Sequence, residues 1–341
     1  MSDIKKVNKL NELKVAFIAD GVKNFSKSDI FHDSSFALML AAQELDKKNV
    51  KILLTESNNL KIINNKVFAK FDEVSLKKEE SNHLQVKSTN EYALDTLDII
   101  FARKDPPINE SYLSYILMLS LVPHIGNGSP ENDFKTLIVN NPLGILKANE
   151  KLYALNFPAL IPHTLVTSRK NEILDFLNEH KEAVIKPLYD KGGGGVFYLS
   201  KNMNNVQSII EISTQDGTKV AMVQKYIPEV IKGDKRIILL NGNPIGAILR
   251  IPKVGEFRAN MNRGASVEHC ELNKRDLEIC ETIKPHLQKD GLYFTGIDVI
   301  GNYLTEINVT SPTGLQEIER FTGRSLAKEI IDWAIETACD H

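Results

Sequence analysis

Residues 296–313 read GIDVIGNYLTEINVTSPT, and the register in which this stretch folds back on itself decides what the rest of the chain can build. Polar and aliphatic side chains alternate on both sides of Gly301-Asn302, the pattern of two short strands joined by a tight turn. Asp298, Glu306 and Asn308 carry hard oxygen donors of the kind that suit magnesium. A slip of one residue sends a strand's side chains to the opposite face, so register determines whether they meet. A two-residue loop, Gly301-Asn302, pairs Asp298 with Thr305 and turns Glu306 away. A three-residue loop, Gly301-Asn302-Tyr303, sets Asp298 opposite Glu306 and collects Ile297, Val299, Ile307 and Val309 on the other face. The second arrangement separates acids from aliphatics better, and the sequence predicts it. A solvated polar face on an ordinary hairpin is the alternative.

Upstream lie residues that would complement such a face. Gly192, Gly193, Gly194 and Gly195 follow Asp190-Lys191 between two strand-like segments. Glycine lets backbone amides approach phosphate oxygens closely, yet the run is neither a GxxxxGK[ST] loop nor a GxGxxG turn, and a flexible hairpin tip reads equally well. Lys186 sits among Val184, Ile185 and Pro187, where an ammonium is costly to bury without an anion; an outward-facing edge lysine is the alternative. Arg236, Arg250, Arg258 and Arg263 fall on or after a second hairpin, and Arg103-Lys104 follow the strand ending at Ala102. Ligands of α/β layers bind just past the carboxyl ends of strands.

The first third alternates strands (14–19, 50–55, 97–102, 137–140) with a helical segment at 34–48, which predicts a parallel α/β layer; 56–96 shows no clear period. Further on the sequence predicts helices at 147–156, 170–180, 273–289 and 325–339, and strands at 164–167, 183–187, 196–199 and 220–226. Antiparallel hairpins at 236–251 and 296–309 make this part α+β, with 252–268 as a long loop rich in Gly, Arg and Asn.

Bulk properties exclude several classes. The 341 residues are 42% hydrophobic and 25% charged, with 42 basic against 44 acidic side chains and a formal charge of -2. A general nucleic-acid binder would show a basic surplus. The longest apolar stretch, Tyr112–Val122, is too short to span a bilayer, and the polar start MSDIKKVNKLNELK is no secretory signal. Cys270, Cys280 and Cys339 fit no zinc spacing and read as reduced cytosolic thiols, and the eight histidines form no HExxH.

Together, RKDPP (103–107), NEKLY (149–153), IKP (185–187), GDKR (233–236) and above all residues 296–313 resemble the bacterial glutathione synthetase family, from about Lys14 to the last helix. The resemblance implies an α/β and α+β protein: an ATP-grasp fold with an N-terminal Rossmann-like (pre-ATP-grasp) α/β domain. The implied division is a polar extension at 1–13, a peptide-substrate domain at 14–136 and an ATP-grasp domain at 137–341. That last part splits into 137–226, with a glycine-rich lid, and 227–341, with a magnesium site. The implied reaction joins γ-L-glutamyl-L-cysteine and glycine at the expense of ATP through an acyl phosphate. Addition of an amino acid to another peptide or protein terminus by a related ATP-grasp ligase is the alternative. ATP and Mg²⁺, with Mn²⁺ as a substitute, are the implied cofactors. Small molecules are the implied partners, without nucleic acid or membrane, in a cytoplasmic homo-oligomer.

By the same resemblance, Lys151 and Lys186 contact ATP, with Lys186 and Gly192–Gly195 at the phosphates. Gln224, Lys225, Tyr226 and Ile227 take the adenine, Asp234 the ribose, and Arg236 joins the nucleotide set. Asp298, Glu306 and Asn308 hold magnesium; Asp33, Ser34, Arg103 and Arg258 belong to the peptide; Lys186, Arg258 and Asn260 approach the reacting centre. Segments 190–195 and 252–268 are expected to close as lids and keep water from the acyl phosphate. The chain departs from the family pattern at Tyr189-Asp190, where an Asp-Gly pair is usual, and at Ser266 and Gln316, where relatives can carry arginine.

Overall fold

The computed structural model describes residues 12–340 except 20, 22–24, 26–28, 46–48, 80–81, 127–133, 191 and 262–263. The polar extension up to residue 11, Lys191 and Arg263 lie outside these residues.

Three sheets organise the chain. The first has seven strands: β1 (Leu13–Ala19), β2 (Val50–Glu56), β3 (Leu60–Ile63), β4 (Lys66–Leu76), β5 (Leu84–Ala93), β6 (Ile99–Ala102) and β7 (Leu137–Val139). β2, β1, β6 and β7 run parallel, as the sequence predicts; β4 joins β2 antiparallel and carries β3 and β5. Alternate residues of β1 serve two layers: Val15 and Phe17 pack toward α1 (Ser34–Gln43), Ala16 and Ile18 toward α2 (Glu110–Ser120). β7 completes this sheet, so the division at 136/137 expected from sequence falls one strand early.

The predicted helix at 147–156 does not form. Asn141 caps α3 (Pro142–Lys147), with Pro142 at its first position, and that helix stops at Ala148. Asn149 then accepts hydrogen bonds from the amides of Lys151 and Leu152, which makes a turn, and of the expected helix Tyr153–Asn156 coils as one 3₁₀ turn. Gly144 lies against the 290–292 segment: a Cβ there would sit 2.0 Å from the carbonyl oxygen of Asp290. Gly144→Ala is therefore expected to cost about 1–3 kcal/mol through overpacking. A lowered urea midpoint at unchanged slope would show it; an unchanged midpoint would remove the contact from the account.

The second sheet is β8 (Thr164–Thr167), β9 (Glu182–Pro187), β10 (Phe197–Ser200) and β11 (Ala221–Lys225), all antiparallel in the order β10-β9-β11-β8. α4 (Lys170–His180) and α5 (Val206–Thr214) cover one face through Ile173, Leu177, Val206 and Ile210, against Ala183, Ile185 and Val223. The other face, with Val184, Lys186 and Gln224, is left for a ligand.

The third sheet is β12 (Asp234–Leu240), β13 (Asn243–Ile251), β14 (Ser266–His269), β15 (Phe294–Ile300) and β16 (Tyr303–Asn308). α6 (Lys274–Lys289), started by a capping box between Asn273 and Asp276, presses Ile279, Ile283 and Leu287 onto Ile237, Leu239, Ile297 and Val299. α7 (Leu315–Thr322) leads to α8 (Leu326–Cys339), which returns to pack on α1 and the first sheet. No described helix is long and apolar enough to cross a membrane.

The hairpin of residues 296–313 reaches the expected pairing by a different route. Ile300 pairs with Tyr303 and Val299 with Leu304, so the loop has two residues, not three. The register then shifts by one, and Asp298 faces Glu306. Thr305 is the extra residue of the bulge and donates from Oγ1 to the Asp298 carbonyl at 3.1 Å. The bulge keeps Leu304 fully buried with Val299 while leaving both Thr305 and Glu306 on the ligand side.

Candidate active site

The open face of the second sheet and one face of the third enclose a cleft of about 230 Å³. Three adjacent strands of the third sheet align Arg236, Asp298 and Glu306 side by side, with Asp234 opposite Arg250 one pair further along. Asn308 follows Glu306 on the same face. Asp298 is gripped by two guanidiniums: Arg236 Nε and Nη2 at 2.5 and 3.0 Å, and Arg250 Nη2 at 3.0 Å. Arg250 Nη2 also donates to Asp234 Oδ2 at 2.5 Å. Burial by itself would raise the Asp298 carboxyl, but Arg236 and Arg250 hold it well below the usual carboxylate range. Burial pushes Asp234 up to about 7; Arg250 opposes that rise, and the charge of Asp298 adds to it. Glu306 and Asn308 stand beside this cluster on the cleft side. Three clustered hard oxygen donors are the environment a divalent cation fits.

Across the cleft, Lys186 points from β9 with Nζ 3.9 Å from Glu306 Oε1. Burial lowers its pKa, Glu306 pulls it up and Lys151 pushes it down again. Lys151, also buried, donates from Nζ to the Asp190 carbonyl at 3.0 Å. Two ammonium groups on one wall thus face carboxylates on the other. Gln224, Lys225, Tyr226 and Ile227 continue the lysine wall, and Gln224 is oriented by its Nε2 bond to Thr164 Oγ1 at 3.0 Å.

The glycine segment and the long loop meet over the opening. Arg258 Nη1 donates to the Gly193 carbonyl at 3.2 Å, and Glu256 grips the same guanidinium through Nε at 3.0 Å and Nη2 at 2.6 Å. Asn260 stands beside Gly193, whose φ is +71°. A Cβ on Gly193 would lie 2.4 Å from Asn260 Oδ1. Gly193→Ala is expected to hold these two segments apart and lower turnover at least about tenfold with the melting temperature unchanged, since lid closure completes such sites. Parent-like turnover would show that their contact is dispensable.

Most residues singled out from sequence line this cleft: Lys151, Lys186, Gly192, Gly193, Gly194, Gln224 to Ile227, Asp234, Arg236, Arg258, Asn260, Asp298, Glu306 and Asn308. Gly195, Asp33, Ser34 and Arg103 do not. Asp33, expected at the peptide, instead caps α1, its carboxylate accepting from the amides of Ser35 and Phe36 at 2.7 and 3.0 Å. Arg103 is buried behind the cleft. It stacks over Phe294 and donates to Ser35 Oγ at 2.9 Å and to the Pro312 carbonyl at 3.0 Å. Glu150, Thr305, Thr310, Ser311 and Thr313 also line the cleft; they lie inside the segments 149–153 and 296–313, but no role of their own was read from the sequence. Their place in the cleft shows only when the fold brings residues 149–153 against residues 296–313.

Comparison with known proteins bears on this arrangement. The model of the prokaryotic glutathione synthetase N-terminal domain matches residues 13–145, and that of the prokaryotic glutathione synthetase ATP-grasp domain matches residues 150–323. The chain belongs to the prokaryotic glutathione synthetase family. A glutathione synthetase of Synechocystis is 44% identical over 330 residues, 94% of this chain and 98% of the relative. At the level of fold, D-cycloserine synthetase DcsG superposes with a TM-score of 0.63 at 12% identity, covering 95% of this chain and 99% of that one. The ATP-grasp ligase PsnB, solved with a minimal precursor, Mg and ADP, gives 0.59 at 12% identity, covering 96% and 98%. This member of the prokaryotic glutathione synthetase family is an ATP-dependent carboxylate–amine ligase with an ATP-grasp fold, the class for which ATP and Mg²⁺ are the cofactors.

Proposed function

We propose that this chain is a glutathione synthetase, joining the cysteinyl carboxylate of γ-glutamylcysteine to the amine of glycine while ATP becomes ADP and phosphate. The observation that carries the reading is the opposition, within one cleft, of the Asp298–Glu306–Asn308 face and the Lys186–Lys151 wall, in a chain whose two domains match that family. A carboxylate is a poor nucleophile toward a polyanion, so the transferring phosphoryl group needs its charge offset. Lys186 and Lys151 supply cationic contacts there, and the amides of Gly192–Gly194 supply donors without a side chain in the way. Asp298, Glu306 and Asn308 would hold Mg²⁺, or Mn²⁺ in its place, which when bound neutralises phosphate oxygens. Gln224 to Ile227 form the adenine wall and Asp234 faces the ribose.

In the first half, the peptide carboxylate oxygen attacks the γ-phosphorus and ADP leaves. In the second, the glycine amine attacks the acyl carbonyl, loses a proton, and phosphate departs. Arg258 stabilises the tetrahedral oxyanion, with Asn260 beside it. Both stand next to the glycine segment, where water must be kept from the acyl phosphate. Arg103 serves the peptide from behind, by fixing the Pro312 carbonyl. Among the described residues the cysteines are free thiols, which suits a cytoplasmic reaction. ADP release tests the reading: sustained release is expected only with γ-glutamylcysteine and glycine together. Equal release when either is omitted would overturn it.

A further inference from the structure

We propose that Glu150 is a positioning residue of this reaction, holding the loop of residues 310–313 in register with the lysine turn at Lys151. The inference rests on the ligase reading above. Glu150 lines the cleft beside Lys151. Its Oε1 accepts from Thr310 Oγ1 at 2.8 Å and from the Thr310 amide at 3.4 Å. Its carbonyl accepts from the Ile307 amide at 2.9 Å. The turn that presents Lys151 is thereby stitched to the strand that presents Glu306 and Asn308.

The loop that Thr310 opens is a junction. Its Pro312 carbonyl receives Arg103 Nη2 at 3.0 Å, and its Thr313 carbonyl receives Arg236 Nη1 at 3.2 Å. Arg236 in turn holds Asp298. Through Thr310, then, Glu150 connects the nucleotide-side lysine, the acidic face of the third sheet and the arginine of the first sheet. A carboxyl group is a costly choice for this place. Burial raises its pKa, and nearby Glu306 adds to the rise against the bond from Thr310. A position needing only bulk would be served at lower cost by an apolar side chain. The polar partners that hold Glu150 are themselves cleft residues, and a 1 Å displacement of such groups is enough to slow a reaction strongly.

A double-mutant cycle tests this. Glu150→Ala and Thr310→Val are each expected to lower kcat/KM for γ-glutamylcysteine by about 10–100-fold, and the double variant to be no worse than the poorer single, because the two act as one unit. Glu150→Gln keeps an acceptor for the Thr310 hydroxyl and is expected to stay within about threefold of the parent. Amide hydrogen exchange across 310–313 should speed up in Glu150→Ala and Thr310→Val at an unchanged melting temperature, a readout that needs no turnover. Losses that multiply, or parent-like exchange in that loop, would overturn the inference. Absence of turnover in the parent would count against the substrate reading alone, since the exchange measurement still decides the role of Glu150. Should Glu150→Ala fail to fold, Thr310→Val and Glu150→Gln carry the same comparison.

Discussion

Lys186→Ala is expected to lower turnover by about 10²–10³-fold, the usual cost of removing one charge-stabilising group from a reacting centre. The melting temperature should stay within a few degrees of the parent. The ammonium lies at the cleft wall of β9, while its neighbour Ile185 supplies the core contact on the opposite face. Its contact in this structure, Glu306 at 3.9 Å, is partly open to solvent and does not need the lysine for burial. Burial lowers the Lys186 pKa, so the site presents a poorly hydrated cation ready for an anion. Steady-state kinetics set beside thermal unfolding decide the matter. Turnover within a few-fold of the parent would show that Lys186 does not meet the transferring phosphoryl group.

Asp298→Ala is expected to abolish turnover and also to destabilise the fold by about 3–5 kcal/mol, the cost of leaving buried charges without their partner. Asp298 stands between Arg236 and Arg250, and all three side chains are nearly inaccessible to solvent. Loss of the carboxylate leaves two guanidiniums close together, with Arg250 still bonded to Asp234. The effect thus differs in kind from that at Lys186, where rate falls and the fold survives. Chemical denaturation measures it directly. A variant as stable as the parent would mean that the cluster relaxes or takes up solvent, and that the arginine grip contributes little.

How much of this was legible in the sequence depended on whether periodicity survived. The residues 296–313 showed their hairpin and their donors, and Asp298 does face Glu306. The bulge at Thr305 was invisible because it restores by one extra residue what a longer loop would have supplied. A change of covered face hid β4. Val67, Ala69 and Phe71 are buried on one face of the sheet and Val74 and Leu76 on the other, so the buried positions switch from odd to even within one strand and no single alternation can be read. β5 is mostly exposed along its length and has no alternation to read. Asp33 was assigned to the peptide, but its carboxylate is taken up by the amides of its own helix start. Arg103 was recognised past a strand end, yet the fold buries it behind the cleft. Glu150 and Thr310 could not be found locally: the contact between them joins segments far apart in the chain.

The most direct measurement follows an oxygen atom. γ-Glutamylcysteine labelled with ¹⁸O in its cysteinyl carboxylate, turned over with ATP and glycine, should transfer label to inorganic phosphate as the acyl phosphate collapses. Mass spectrometry is expected to find one ¹⁸O per phosphate released, with unlabelled ADP and with glutathione keeping the other labelled oxygen. Phosphate free of ¹⁸O while glutathione accumulates would contradict activation of the carboxylate by phosphoryl transfer, and with it the account of this cleft.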